Sequence, residues 1–185
     1  MLSTDLPEHS NLESLVTTIE FMSSLQAVRI IPSPIGQIAI GATDVGICDV
    51  EIMVPERSRS EFFESAQSRK HADVAASQLR EYFDSARTVF DLEFDIAGTD
   101  FQEAVWKEIA DLGFGASLGY GEIANRIGKP EASRAVGGAV GANPVPLLIG
   151  CHRVLGSNKK ITGYSGGQGL KTKLWLLEHE QIEYR

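Results

Sequence analysis

The sequence predicts an α+β protein whose strands and helices are segregated along the chain. Residues 28–53, VRIIPSPIGQIAIGATDVGICDVEIM, interrupt β-branched runs with Pro and Gly turns, the pattern of a small antiparallel sheet. From residue 99 onward apolar residues recur at helical spacing, and a Gly-Lys-Pro turn separates two short helices as in a helix-turn-helix. Charge divides at the same place. Residues 1–97 hold 7 Lys+Arg against 16 Asp+Glu, a balance of -9, whereas residues 98–185 hold 10 against 9, a balance of +1. The expected domains are a lead-in over 1–27, a strand-bearing domain over 28–97 and a helical domain over 98–185.

Residues 1–27 are polar, with helical periodicity over Leu12–Leu25 and no evident anchor. Strand, turn, strand, turn, strand follow over 28–53, and the polar stretch 55–70 reads as loop or loose helix. Asp73 to Phe83 places Val74, Leu79, Tyr82 and Phe83 at helical spacing, so this helix should pack on the sheet. RTVFDLEFDIAG then alternates Val89 (or Phe90), Leu92, Phe94 and Ile96, which predicts a strand ending at Gly98. In TDFQEAVWKEIADL, Thr99 or Asp100 offers an N-cap, Glu103 falls in the first turn, and Val105, Ile109 and Leu112 share a face. YGEIANRIGKPEASRAVGGAVGANP is the helix-turn-helix. LKTKLWLLEHEQI is an amphipathic closing helix.

A hydrophobic fraction of 43% and mean hydropathy of -0.07 suit a water-soluble globular chain. No apolar run approaches the roughly 18 residues of a membrane span, and the acidic N-terminus does not read as a secretory leader. Cys48 and Cys151 lie too far apart for a disulfide framework or a zinc knuckle, which points to a reducing cytoplasm. The net charge of -8 argues against nucleic acid only as an average, since the near-neutral second half can bind DNA weakly and salt-sensitively.

The second helix of the helix-turn-helix carries almost no side-chain bulk: Ala132, Ser133, Ala135, Gly137, Gly138, Ala139 and Gly141 surround the single large group of Arg134. Such a surface either packs closely on a neighbouring helix or presses into a DNA groove, and it lacks side chains that read base edges. Cys48, inside a strand-like run, reads as an inert buried thiol. Cys151 differs, because the apolar Leu147, Leu148 and Ile149 read as a buried strand that Gly150 breaks just before it. A thiol there is held rigidly yet faces a cavity, and it needs a base or positive charge to ionise. His152 is adjacent but points the other way on a strand, so it reaches Cys151 through a bend or a bridging water. Glu178, Glu180 and Asp111 are equal candidates for the carboxylate that fixes its tautomer. A zinc site lacks ligands, and a protease-like pairing with His9, His71 or His179 has no support from context.

These residues resemble the O6-alkylguanine-DNA alkyltransferases, or methylated-DNA–protein-cysteine methyltransferases. The family's Pro-Cys-His-Arg-Val stands here as Gly150-Cys151-His152-Arg153-Val154. FQEAVWKEI at 101–109, YGEIA at 120–124, SRAVGGAV at 133–140, NPVPLLI at 143–149, GYSGG at 163–167 and WLLEHE at 175–180 match in order. The likeness is good over 75–182, weaker over 28–60 and absent over 1–27. It implies a ribonuclease-H-like α/β N-terminal domain, mainly structural, and a mostly helical, winged-helix-like DNA-binding domain. It further implies a monomer that binds alkylated double-stranded DNA through the minor groove and flips the lesion base out. The alkyl group on guanine O6, or on thymine O4, passes irreversibly to Cys151 in one turnover without cofactor or metal.

The same resemblance assigns His152 as water-bridged base, Glu180 as its carboxylate, Asn143 as brace of the active-site turn and Tyr120 as donor to the guanine ring. Arg134 falls on the stack-filling arginine, within a DNA-binding surface of Ser133, Ala135, Gly138 and Tyr120. Tyr164, Ser165 and Gly166 fall on the loop over the base, the backbone of Cys151 and Val154 receives the exocyclic amine, and Arg153 is structural. Two departures stand out. Gly150 replaces the signature proline and is expected to loosen the turn and slow transfer. Gly141 stands where relatives often carry an arginine. A non-catalytic lesion binder would lack the cysteine, and a transcriptional regulator would need base-reading side chains; neither fits.

Overall fold

The computed structural model describes residues 26–52 and 64–185. The helix expected over Leu12–Leu25 and most of the expected loop at 55–70 lie outside the described residues. Three strands, β1 (Ala27–Ile31), β2 (Ile38–Ala42) and β3 (Ile47–Ile52), form an antiparallel sheet in that order. Alternation buries Ile31, Ile38, Ile40, Ile47, Val50 and Ile52 on one side. Helix α1 (Ala66–Phe83) lies across that side, and its small Ala72, Ala75 and Ala76 let it approach the sheet closely. This helix starts earlier than its apolar periodicity suggests, because Ser65 caps it by accepting from Ser68 N. Val74, expected on the packed face, is instead exposed.

The strand expected over 89–96 is absent. Only Phe94 bridges Ile47, through Ile47 N donating to Glu93 O at 2.8 Å and Asp95 N donating to Ile47 O at 2.9 Å. A side chain satisfies the backbone elsewhere: Gln78 binds both the N–H and the C=O of Asp91, at 2.8 and 2.9 Å. Thr43 ties the Asp95 side chain by donating to its carboxylate. The alternation also buries little, since Val89 is fully outside. Gly46 permits the single bridge, because a Cβ there would stand 2.5 Å from Glu93 O.

In the second half, α2 (Asp100–Ala110) is capped by Thr99 in a reciprocal box with Gln102, and it buries Val105, Trp106 and Ile109. Strand β4 (Leu118–Gly119) leads into α3 (Tyr120–Arg126), a turn with Gly128 at φ +71°, a 3₁₀ turn (Pro130–Ala132) and α4 (Ser133–Gly141). The helix-turn-helix therefore forms where the sequence places it. Trp106 Nε1 donates to Ala139 O at 2.8 Å and fixes α4 on α2. Strand β5 (Val154–Leu155) runs parallel to β4, and α5 (Leu170–His179) closes the fold.

One buried apolar cluster runs from Ala27 to Leu176 through both halves. Contacts join the halves beside the turn that carries Cys151. Val50 N on β3 donates to Pro144 O at 2.9 Å, and Tyr82 on α1 packs edge-on against Phe114 and His179. No helix among the described residues is long and apolar enough to cross a membrane.

Candidate active site

Residues 143–150 form a compact turn rather than the expected strand. Pro144 and Pro146 have no N–H to give to a ladder, and Asn143 supplies the pairing instead. Its Nδ2 donates to Ile149 O at 2.8 Å, while its Oδ1 accepts from Val145 N at 3.1 Å. Leu147, fully buried, is held at φ +75°, a conformation costing about 1–3 kcal/mol that persists because its surroundings leave no alternative. Cys151 opens a 3₁₀ turn (Cys151–Arg153) and donates its N–H to Ile149 O at 2.7 Å. His152 is thus presented by a tight turn, and the opposed orientation expected of a strand does not apply.

The Cys151 thiol is 6% exposed and lies 4.0 Å from Tyr164 Oη. Burial pushes its pKa up, opposed by hydrogen bonding from Asn143 and Tyr164 and by the positive charge of Lys173. Cys48, by contrast, is pushed up to about 12 by burial and the neighbouring Asp49 and Asp95, an inert thiol as expected.

Behind the thiol lies a buried cage around Glu180. Its Oε1 accepts from His152 Nε2 at 2.8 Å, Tyr82 Oη at 2.8 Å and Arg153 Nη2 at 3.0 Å. Its Oε2 accepts from Arg153 Nε at 2.8 Å and, at a longer 3.4 Å, from Gly115 N. Burial alone would raise this carboxyl, but His152 and Arg153 outweigh it and hold Glu180 well below the usual carboxylate range. Burial, together with the charges of Arg153 and Lys173, keeps His152 neutral despite the pull of Glu180. The ion pair that balances Glu180 is therefore Arg153, and His152 donates Nε2–H as a neutral ring. His152 Nδ1 is buried with no protein partner among the described residues. Of the other carboxylates considered, Glu178 is exposed and takes the Tyr184 hydroxyl, and Asp111 is exposed at the end of α2.

Lys173 is 1% exposed and donates to Val154 O at 2.7 Å; burial lowers its pKa to about 8, and the Cys151 charge opposes that. Val154 O thus already has one donor, and Cys151 O accepts from Val154 N. Tyr164 lies over the thiol, Ser165 is exposed beside it, and Gly166 threads between the Tyr164 ring and Ile52, where a Cβ would stand 2.9 Å from the ring. Tyr120 begins α3 and shares a 2.9 Å hydrogen bond with Thr162 Oγ1. It lines a groove of about 710 Å³ together with Ser133 and residues 155–159; Cys151 does not reach this groove. On α4, Arg134, Ala135, Gly138, Gly141 and Ala142 form an exposed, low-relief stripe, while Val136, Ala139 and Val140 face the core. Gly138 and Gly141 have open space where a Cβ would be, so close helix packing does not explain them.

The family model for the DNA-binding domain of 6-O-methylguanine DNA methyltransferase matches residues 100–182. A methylated-DNA–protein-cysteine methyltransferase of Methanosarcina barkeri is 39% identical over 153 residues, which cover 83% of this chain and 97% of that protein. The chain belongs to this family. A Mycobacterium bovis member is likewise 39% identical over 155 residues, 81% of this chain and 90% of its own. The crystal structure of Mycobacterium tuberculosis OGT in complex with DNA superposes with a TM-score of 0.72 at 39% identity, covering 83% of this chain and 92% of that one.

Against the family signature, Gly150 takes φ -69°, the value a proline ring would impose. The space of the absent Cβ is occupied by Arg153, whose Nε and Cδ would stand 2.7 and 2.8 Å from it. Three participants escaped the reading of the sequence: Tyr82, which showed only as one apolar position of α1, Lys173, and Arg153 as the ionic partner of Glu180. Thr172 and Lys173 are buried with Leu176 and Leu177 on α5, a burial that the polar side chains gave no reason to expect.

Proposed function

We propose that the chain repairs DNA by accepting an alkyl group from O6 of guanine, or O4 of thymine, onto Cys151 Sγ in a single irreversible turnover. The observation that carries this reading is the pairing of a buried thiol with a neutral histidine, adjacent in the chain, whose Nε2 is committed to Glu180 and whose Nδ1 is unpartnered. That tautomer leaves the Nδ1 lone pair to take the Cys151 proton, directly or through a water. The thiolate then attacks the alkyl carbon in line with the carbon–oxygen bond. A carbon–sulfur bond forms, the carbon–oxygen bond breaks, and its electron pair stays on the purine. Donors from Tyr120 and Ser165 stabilise the purine anion until it takes up a proton. A thioether is inert to cellular reductants, so the thiol is not regenerated and no cofactor enters.

The low-relief stripe of α4 suits a backbone pressed against the minor groove of double-stranded DNA, with Arg134 replacing the extruded base and Ser133, Ala135 and Gly138 close to the phosphates. Tyr164, Ser165 and Gly166 close over the base, Asn143 holds the turn, and the Val154 and Cys151 carbonyls receive the exocyclic amine. The assignment includes a ribonuclease-H-like fold for 28–97, a winged-helix-like fold for 98–185, and action as a monomer in the cytoplasm. Intact mass after incubation with an oligonucleotide carrying one O6-methylguanine tests the reading. A gain of one methylene equivalent on the Cys151 peptide, absent in Cys151→Ser, supports it. Lesion-selective binding without a mass gain would assign the chain to lesion recognition instead.

A further inference from the structure

We propose that Tyr82 is a positioning residue for alkyl transfer, delivered from the first half of the chain to set how much of the Glu180 charge reaches His152. The inference rests on the function proposed above. Tyr82 Oη donates to the same Glu180 oxygen that accepts from His152, both at 2.8 Å, across 98 residues of sequence. The phenol is fully buried and cannot swing away. Phe83, Phe90, Phe114 and His179 surround its ring at centroid distances of 5.2, 5.6, 6.1 and 4.9 Å, and His179 Nε2 donates to its backbone oxygen at 2.9 Å.

Tyr82 adds nothing to the charge balance of the cage, which Arg153 already closes through two bonds to the carboxylate. What a neutral donor does is compete. Each hydrogen bond that Oε1 accepts draws electron density away from the others. With Tyr82 in place, the pull of Glu180 on the His152 proton is weakened, and the ring stays neutral with Nδ1 free to accept. The charged and titratable groups facing His152 are Glu180 and Lys173 from α5, Arg153 and Cys151 from its own turn, and Tyr82 from α1. Among those that bond Glu180 beside His152, Tyr82 acts without a charge. It is also the one that makes the catalytic turn sensitive to how the first half is docked.

The test uses the full chain with Tyr82→Phe, which keeps the ring and its packing. The pH profile of single-turnover transfer from an O6-methylguanine oligonucleotide is recorded beside the His152 imidazole titration by NMR. The expected result is an unchanged rate at alkaline pH, a loss of roughly two- to ten-fold at mildly acidic pH, the range one hydrogen bond supplies, and a His152 titration displaced to higher pH. Site-specific 3-fluorotyrosine at position 82, a stronger donor with the same packing, should displace the titration to lower pH, and it replaces Tyr82→Phe if that variant fails to fold. A uniform loss at every pH, or a His152 titration that moves in neither protein, overturns the proposal. Absence of transfer by the unaltered protein would instead count against the repair function, while the titration would still decide the role of Tyr82.

Discussion

Replacing Glu180 by Gln tests the cage most directly, because the change is nearly isosteric and removes one charge. Glu180 is 1% exposed and Arg153 5%. Without the carboxylate, the guanidinium keeps Leu112 O at 2.6 Å but loses its only anionic partner among the described residues. Stripping one member from a buried ion pair costs about 3–5 kcal/mol. At about 2–4 °C per kcal/mol for a chain of this size, the expected fall in Tm is roughly 6–20 °C. The pH dependence has a fixed sign. Glu180 is held below its ordinary value of 4.5, so its contribution is fully present above that value and is lost as pH falls toward the folded-state value. Below pH 4.5 the unfolded chain takes up a proton that the folded chain refuses, and the gap between wild type and E180Q should narrow by about 1.4 kcal/mol per pH unit. All other carboxylates are common to the two proteins, so the difference isolates this one. Denaturant titrations of both proteins near neutrality and about one unit below 4.5 supply the measurement. A gap under about 1 kcal/mol at neutral pH, or one that does not change on acidification, would refute the assignment of Glu180 as a buried anion. Alkyl transfer should fall at least about 100-fold in the same variant, the scale of a general base that has lost its orienting group.

Asn143→Ala leaves Val145 N without its partner and takes from Ile149 O one of its two donors, the other being Cys151 N, in the turn that holds Leu147 at positive φ; about 1–3 kcal/mol should be lost in thermal or denaturant unfolding, with slower transfer. Lys173→Met exchanges a buried ammonium for an apolar chain. Because the folded-state value near 8 lies below the ordinary 10.5, wild type gains stability as pH rises between those values, so any advantage of the methionine protein should shrink by about 3 kcal/mol across that window in paired unfolding curves. Arg134→Ala should leave stability within about 0.5 kcal/mol, since the side chain is exposed. Its transfer rate should drop on duplex DNA and much less on single-stranded lesions, where no base must be unstacked.

Local signals carried much of the fold. The Thr99 cap, the Gly128–Pro130 turn and the alternation of β1 to β3 each act over a few residues, and each appears where the sequence places it. The failures share one physical cause. At 89–96 and 147–149 the apolar pattern is that of a strand, but side chains of Gln78 and Asn143 take backbone groups that a ladder would have used. The α1 start was hidden for a similar reason, since Ser65 caps a first turn with no apolar stripe. The thiol and its histidine were legible because they are adjacent and sit in a matched motif. Spacing left Glu178, Glu180 and Asp111 open as the carboxylate; the family motif named Glu180, and its burial and its bond to His152 distinguish it in the structure. Tyr82 had no signal at all, since nothing along a chain reports a hydroxyl aimed at a partner 98 residues away.

The Glu180 cage also has a kinetic consequence. Its partners lie 27, 28, 65 and 98 residues from Glu180 in the chain. The longest of these, from Tyr82, carries the largest loop-closure cost within the cage. We expect it to be the last cage contact to form, so that the cage around His152 is complete only once the two halves have docked. Full competence for transfer during refolding should then report that docking.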